Sequence, residues 1–217
     1  GAVEAVMRCL DRHANDLKVQ QAACEALKYT MQYFRYQGTA RDATPIEAVV
    51  SAMTRHQSNA KIQQGLCKVL TAIAESHEQN KLPAMQAGAI EAVVSAMSTH
   101  ADKQWLQNDG CEALRSMTEG MADSQARARE AGAIEAAVVS AMSTHVDERW
   151  LQCDACKALR SMTEGMADSQ ARAREAGAIE AVARAMQRHE GSGWLEDSAM
   201  EALSSLASDN SYNIRRI

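Results

Sequence analysis

Aromatic residues are scarce in this chain of 217: one Phe, four Tyr and three Trp. Aromatic side chains bury the most area each, so a chain this poor in them must pack mainly with small and aliphatic groups. Proline occurs only twice, which leaves long stretches free to run as unbroken helix. Positive charge is not in excess. Lys and Arg total 23 against 28 Asp and Glu, a net charge of -5. That balance excludes a general binder of nucleic acid or of anionic membranes. No apolar run approaches the ~18 residues of a membrane span, so no membrane insertion is expected, and no signal peptide is visible. Catalytic patterns are missing too. There is no nucleophile elbow, no phosphate-binding Gly loop and no clustered carboxylate pair off the periodic positions. The expectation is a non-enzymatic protein without cofactor or metal.

What is present is a period. The stretch GAIEAVVSAMSTH starts at Gly88 and again, with one extra Ala (Ala136, Ala137), at Gly132. Looser versions start at Gly1, Thr44 and Gly177. These starts lie 43, 44, 44 and 45 residues apart, the mark of a stacked array whose units bury their apolar faces against their neighbours. Residues 113–136 and 158–181 are identical, which implies recent duplication or deliberate construction. The whole of 1–217 reads as one such domain. Neither end carries a polar capping helix, so the array is expected to be a piece of a longer solenoid.

Each unit predicts three helices. Gly88 is read as an N-cap with Glu91 three residues on, meeting the helix dipole. Ile90, Val93, Val94 and Met97 then form one apolar face at i, i+3, i+4 and i+7. A second helix from about Asp102 to Glu119 buries Leu106, Gly110, Ala113, Leu114 and Met117, and its small residues permit close approach. A short third helix, roughly Ser124 to Ala131, turns only Ala128 inward (Ala40, Ala84 and Ala173 elsewhere) and is expected to be the loosest part. The extra Ala in the unit from Gly132 leaves Ile134, Val138 and Met142 on one face with a local twist.

The opening GAI-x-AVV, the middle C-E-A-L-R-S-M and the closing S-x-x-x-x-x-E-A-G resemble the armadillo repeat over the whole chain. HEAT repeats are the near neighbour, but they usually lack the short third helix. The resemblance implies an all-α, right-handed α-solenoid of about five armadillo-like repeats of 43–45 residues. It also implies that the second helices line a concave groove for extended peptides or partner domains. The Trp and Asn that import- and catenin-type relatives carry on this helix are absent at their usual positions, so nuclear-signal binding is not carried over.

Candidate residues fall on the same period. The second helix presents polar groups away from the core, including the sign-alternating row Glu25, Lys68, Glu112, Lys157 and Glu201, and beside it Arg115 and Arg160. Trp105, Trp150 and Trp194 precede the leading Leu of their helices and make either an amphipathic binding rail or a cover for the helix entrance. Tyr29, Tyr33, Phe34 and Tyr36 gather in one stretch that either covers an open end or contacts a partner. His13, His56, His100, His145 and His189 share one slot. At ~10 Å between helix layers they stand too far apart to share a metal, and a capping role at helix ends is expected instead. Cys24, Cys67, Cys111 and Cys156 share a packing slot and are expected to stand far from one another in a reducing, intracellular setting, the cytoplasm first. Cys153 is expected to be the one exposed, reactive thiol. The function expected is a protein-interaction scaffold that binds a partner protein along the groove. The alternative is a structural subunit of a larger complex with nothing in the groove.

Overall fold

The computed structural model describes residues 2–13, 16–37 and 44–207. Every regular element among them is helical. In chain order they are α1 (Ala2–Arg12), α2 (Leu17–Gln37), α3 (Thr44–Arg55), α4 (Ala60–Ser76) and α5 (Lys81–Gln86), the last entered through a 3-10 turn at Glu78–Asn80. Then come α6 (Ala89–Thr99), α7 (Gln104–Thr118) and α8 (Ala122–Glu130). A π-helical stretch, Ala133–Val139, runs into α9 (Ser140–Thr144). The rest are α10 (Arg149–Thr163), α11 (Ala167–Glu175), α12 (Ala178–Arg188) and α13 (Gly193–Ala207).

The long helices α2, α4, α7, α10 and α13 make one layer, each packed on the next. Helices α1, α3, α6, the 133–144 segment and α12 make a second layer against it, and the short α5, α8 and α11 bridge the two. The core lies between the layers and follows the apolar period. Ile90, Val93, Val94 and Met97 are buried, as are Leu106, Gly110, Ala113, Leu114 and Met117. Small residues set the spacing. A Cβ on Gly110 would lie 2.6 Å from Met97 Cγ, and one on Gly65 would lie 2.5 Å from Cys24 Sγ. Ala84, Ala128 and Ala173 turn inward on the short helices, while Ala40 and residues 208–217 lie outside the described residues.

Two expectations are refined. Gly88, Gly132 and Gly177 are the N-caps of the helices that follow, with Ala92 N–H donating to Gly88 O at 3.1 Å and Ala181 N–H to Gly177 O at 3.0 Å, but they serve the preceding helix as well. Each has a left-handed φ (80°, 74° and 80°) and closes the short helix before it. The Gly88 N–H donates to Met85 O at 3.1 Å, and Gly132 N–H to Arg129 O at 3.1 Å. Glycine suits this reversal because an L side chain is strained at positive φ. The second change is at the extra Ala of the unit from Gly132. The helix absorbs the added residue as π-helical turns over Ala133–Val139, a known way of taking an insertion without losing a face. Ile134, Val138 and Met142 are all buried.

Two polar ladders stitch the layers. Gln63 Nε2 donates to Met53 O at 2.6 Å, Gln107 to Met97 O and His100 O at 2.8 and 2.9 Å, and Gln152 to Met142 O and His145 O at 2.9 Å each. These buried amides satisfy carbonyls at the ends of the second-layer helices that have no helical partner. The histidines reach further than the expected local cap. The Nε2 of His100, His145 and His189 donates to Gln57 O, Ala101 O and Val146 O, the residue after the equivalent His one unit earlier, at 2.8 to 2.9 Å. His56 pairs with Asp11 at 3.2 Å instead.

All six cysteines are free thiols. Cys24, Cys67, Cys111 and Cys156 are buried in the long-helix layer. Burial pushes the Cys24 thiol up to about 11 and that of Cys156 up to about 12. Burial, with Asp154 adding to it, raises the Cys111 thiol as well.

Candidate interaction surface

Stacking of the long helices decides which of their side chains stay open. The second position after the leading apolar residue meets the third position on the next helix. Gln64 Nε2 donates to Asp109 Oδ2 at 2.6 Å, and Cys153 Sγ lies 3.3 Å from Ser198 Oγ and 3.8 Å from Trp194 O. Cys153 is therefore 5% exposed, and its expectation as an open, reactive thiol is corrected. Angular position on an isolated helix pointed it outward, but α13 lies over it.

The charged candidates remain at the surface, tied into cross-helix pairs. Arg115 holds Glu75 at 2.8 Å and Glu119 at 3.0 Å. Arg160 holds Glu119 at 3.5 Å and Glu201 at 3.3 Å. Glu75, Arg115, Glu119, Arg160 and Glu201 thus form one chain of alternating charge across α4, α7, α10 and α13. The row predicted from the period pairs sideways: Lys68 with Asp109 at 3.5 Å and Lys157 with Asp154 at 3.4 Å. Glu112 is half-buried among acids. Burial, then Asp154, Glu75 and Asp109, raise its pKa, against the lowering effect of Arg115. Burial also raises the pKa of Asp109, over the opposing effects of Gln64 and Lys68. For Lys157, burial works against the charge, but Cys153 and Asp154 outweigh it and its pKa is raised.

The three tryptophans divide. Trp105 is partly buried against the core, and Lys61 Nζ sits 3.7 Å above its ring. Trp150 and Trp194 are 55% and 72% exposed. Their ring centroids are 5.6 Å apart with the planes at 50°, and Arg149 lies 5.2 Å from the Trp150 ring. A tilted aromatic pair at this distance is mutually attractive, so the two indoles hold each other in place while facing water. Toward the other ends of the same two helices, an open cleft between α10 and α13 is lined by Arg160, Glu164, Gly165, Met200, Glu201, Ser204 and Ser205. At the other end of the layer a cleft of about 110 Å³ between α2 and α4 is lined by Cys24, Glu25, Lys28, Lys61, Gln64, Gly65 and Lys68. Tyr29 is 68% exposed. The side chains of Tyr33, Phe34 and Tyr36 lie outside those described.

Sequence reasoning missed the Arg115–Arg160 charge chain, the buried Gln63–Gln107–Gln152 ladder and the Lys61–Trp105 contact. The Gln ladder carried a signal, since Gln recurs directly after the leading apolar residue of four long helices. The other two depend on contacts between units, which a one-unit template does not contain. Among the described residues no group of His, Cys, Asp and Glu is placed to hold a metal, and no helix is long and apolar enough to cross a membrane.

The LRRK2 ARM repeat family model matches residues 1–127. No curated protein matches the chain in sequence. Among solved structures, an engineered protein of the Northeast Structural Genomics Consortium is similar, with 26% identity and a TM-score of 0.80 over 96% of this chain and 82% of that one. A computationally designed armadillo repeat protein for modular peptide recognition shares 14% identity at a TM-score of 0.53, covering 94% of this chain and 99% of its own. A designed armadillo repeat protein in complex with the peptide (KR)4 shares 15% at a TM-score of 0.52, covering 95% and 100%. At those two identities the likeness is one of fold alone.

Proposed function

We propose the following role for this chain, which belongs to the LRRK2-type armadillo repeat family: a non-enzymatic, intracellular interaction scaffold that holds a partner protein or extended segment along its long-helix layer. Residues 1–217 act as one array with units starting at 1, 44, 88, 132 and 177. The observation that carries the reading is the Trp150–Trp194 pair, exposed yet mutually held at 5.6 Å. Large exposed indoles have a hydration cost that a partner removes, and Trp is enriched among the residues that dominate binding energy. Arg115, Arg160, Lys68, Glu112, Lys157 and Glu201 supply polar contacts farther along the same layer.

The test is capture from native extract by the wild type and by the Trp150→Ala/Trp194→Ala variant, both checked for helicity. A partner held by the first and lost from the folded second supports groove binding. The same assembly held by both would assign the chain to a complex through other surfaces, where Ile179 is exposed on α12, and would end the groove reading.

A further inference from the structure

One position at the start of the long helices holds Lys18 on α2, Lys61 on α4, then Trp105, Trp150 and Trp194 on α7, α10 and α13. Side chains from this position meet across helices: Lys61 lies over Trp105, and Trp150 lies against Trp194. The row therefore runs across the layer from a cationic end to an aromatic end, with contacts at Lys61–Trp105 and Trp150–Trp194. The charges around its ends differ in the same sense. The α2/α4 cleft is bordered by Lys28, Lys61 and Lys68, with Glu25 on its lining and Asp109 behind Lys68. On α13 the charges are Glu196, Asp197 and Glu201.

Resting on the groove-binding reading, we propose that the row recognises one class of partner: an extended peptide segment with an anionic side chain in the α2/α4 cleft and a large apolar side chain on the Trp150–Trp194 pair. The cleft is closed below, because α2 and α4 touch at Gly65, where even a Cβ would meet Cys24 Sγ at 2.5 Å. An anion entering there meets the ammonium groups of Lys28 and Lys61, with Lys68 held by Asp109 and Glu25 on the rim, in a partly enclosed cleft where charge pairing is stronger than in open water. Glu196 and Asp197 at the start of α13 disfavour the same anion, partly offset by Arg149 beside the Trp150 ring, which biases the segment's direction. Adjacent packed helices stand roughly 8–10 Å apart, so three helix spacings separate the two sites by roughly 24–30 Å. At about 3.3 Å per extended residue, the anionic and apolar side chains are about seven to nine residues apart.

The experiment is selection of a random 15-residue peptide library displayed on phage against the whole chain, followed by titration of the selected peptides. The expected peptides carry an acidic residue and a large apolar residue at that spacing, mainly in one order. Lys28→Gln alone, and with Lys61→Gln, should weaken them by about three- and tenfold, in line with loss of ~0.7 and ~1.4 kcal/mol, and steepen neither helicity loss nor melting. Replacing the peptide's acid with phosphoserine separates the two anion sources: tighter binding assigns a phosphate partner, equal or weaker binding a carboxylate. Peptides that lose affinity on Trp150→Ala/Trp194→Ala but carry no acid, or are indifferent to the Lys variants, overturn the anion site and leave groove binding standing. Peptides indifferent to both sets of variants, or no enrichment at all, overturn both.

Discussion

Residues 113–136 and 158–181 have the same sequence and the same helices up to Gly132 and Gly177, after which one copy turns π-helical and the other α-helical, and they sit in different electrostatic surroundings. Leu114 and Leu159, Met117 and Met162, and Ala128 and Ala173 are all fully buried. The polar groups diverge. Ser116 donates to Glu75 at 3.1 Å, whereas its twin Ser161 meets Thr118 at 2.8 Å and Ala158 O at 3.0 Å. Arg129 pairs with Asp168 at 3.0 Å, whereas Arg174 donates to Leu206 O at 2.7 Å. The local text fixes helix and core. The neighbouring unit fixes where each charge goes, because those side chains point across the seam between units.

The largest effect to expect from this comparison is in the core. Leu114→Ala and Leu159→Ala should each cost roughly 3 kcal/mol, the usual range for a buried leucine, and the two values should agree within about 0.5 kcal/mol. Urea unfolding of the pair checks this; a large gap would mean that the twins pack differently. The segments part company just after residue 136, where the extra Ala enters. Deleting Ala136 restores the text of 89–97 and should convert the π-helical turns to regular helix. A gain of about 1 kcal/mol is expected, typical of one local optimisation, read as a higher melting temperature; an unchanged or lower value would show that the π turn is not strained.

The residue just before each twin also differs: Glu112 in one, Lys157 in the other. The pKa of Glu112 is raised in the folded chain. A raised carboxyl favours folding when protonated, so that contribution is full below its ordinary 4.5 and is lost as pH rises through the folded value. At neutral pH ionised Glu112 is therefore unfavourable. Glu112→Gln should raise stability at pH 7 by a few tenths of a kcal/mol after solvent screening, with the advantage shrinking as pH falls toward 4.5. Melting series of wild type and variant across that window test the sign. The smallest effect belongs to the charge chain. Arg115→Ala and Arg160→Ala should each cost about 0.5 kcal/mol, and less at high salt, as partly exposed pairs do.

The period made most of the fold legible. Ile90, Leu106 and Cys111 are buried because a recurring apolar slot has to face a recurring neighbour. What stayed hidden has one physical cause. A single-unit template assigns faces by rotation about one helix axis, and that rule fails at the flank where two long helices meet. Cys153 pointed outward on that rule and is covered by α13. Trp105, Trp150 and Trp194 lie on the same boundary, and their exposure depends on what a neighbouring helix offers: Lys61 over the first, and each other's indole beside the last two. Gly88 was read for its helix start, which it does cap, but its left-handed φ also ends the short helix before it, and nothing in the one-unit pattern showed that second role.

The most direct measurement is the affinity of the captured partner for three folded forms: wild type, Trp105→Ala, and Trp150→Ala/Trp194→Ala. The expected result is a loss of at least tenfold, about 1.4 kcal/mol, confined to the double variant, with Trp105→Ala lowering melting temperature more than affinity. Undiminished affinity in a folded double variant would contradict the assignment of this surface to binding.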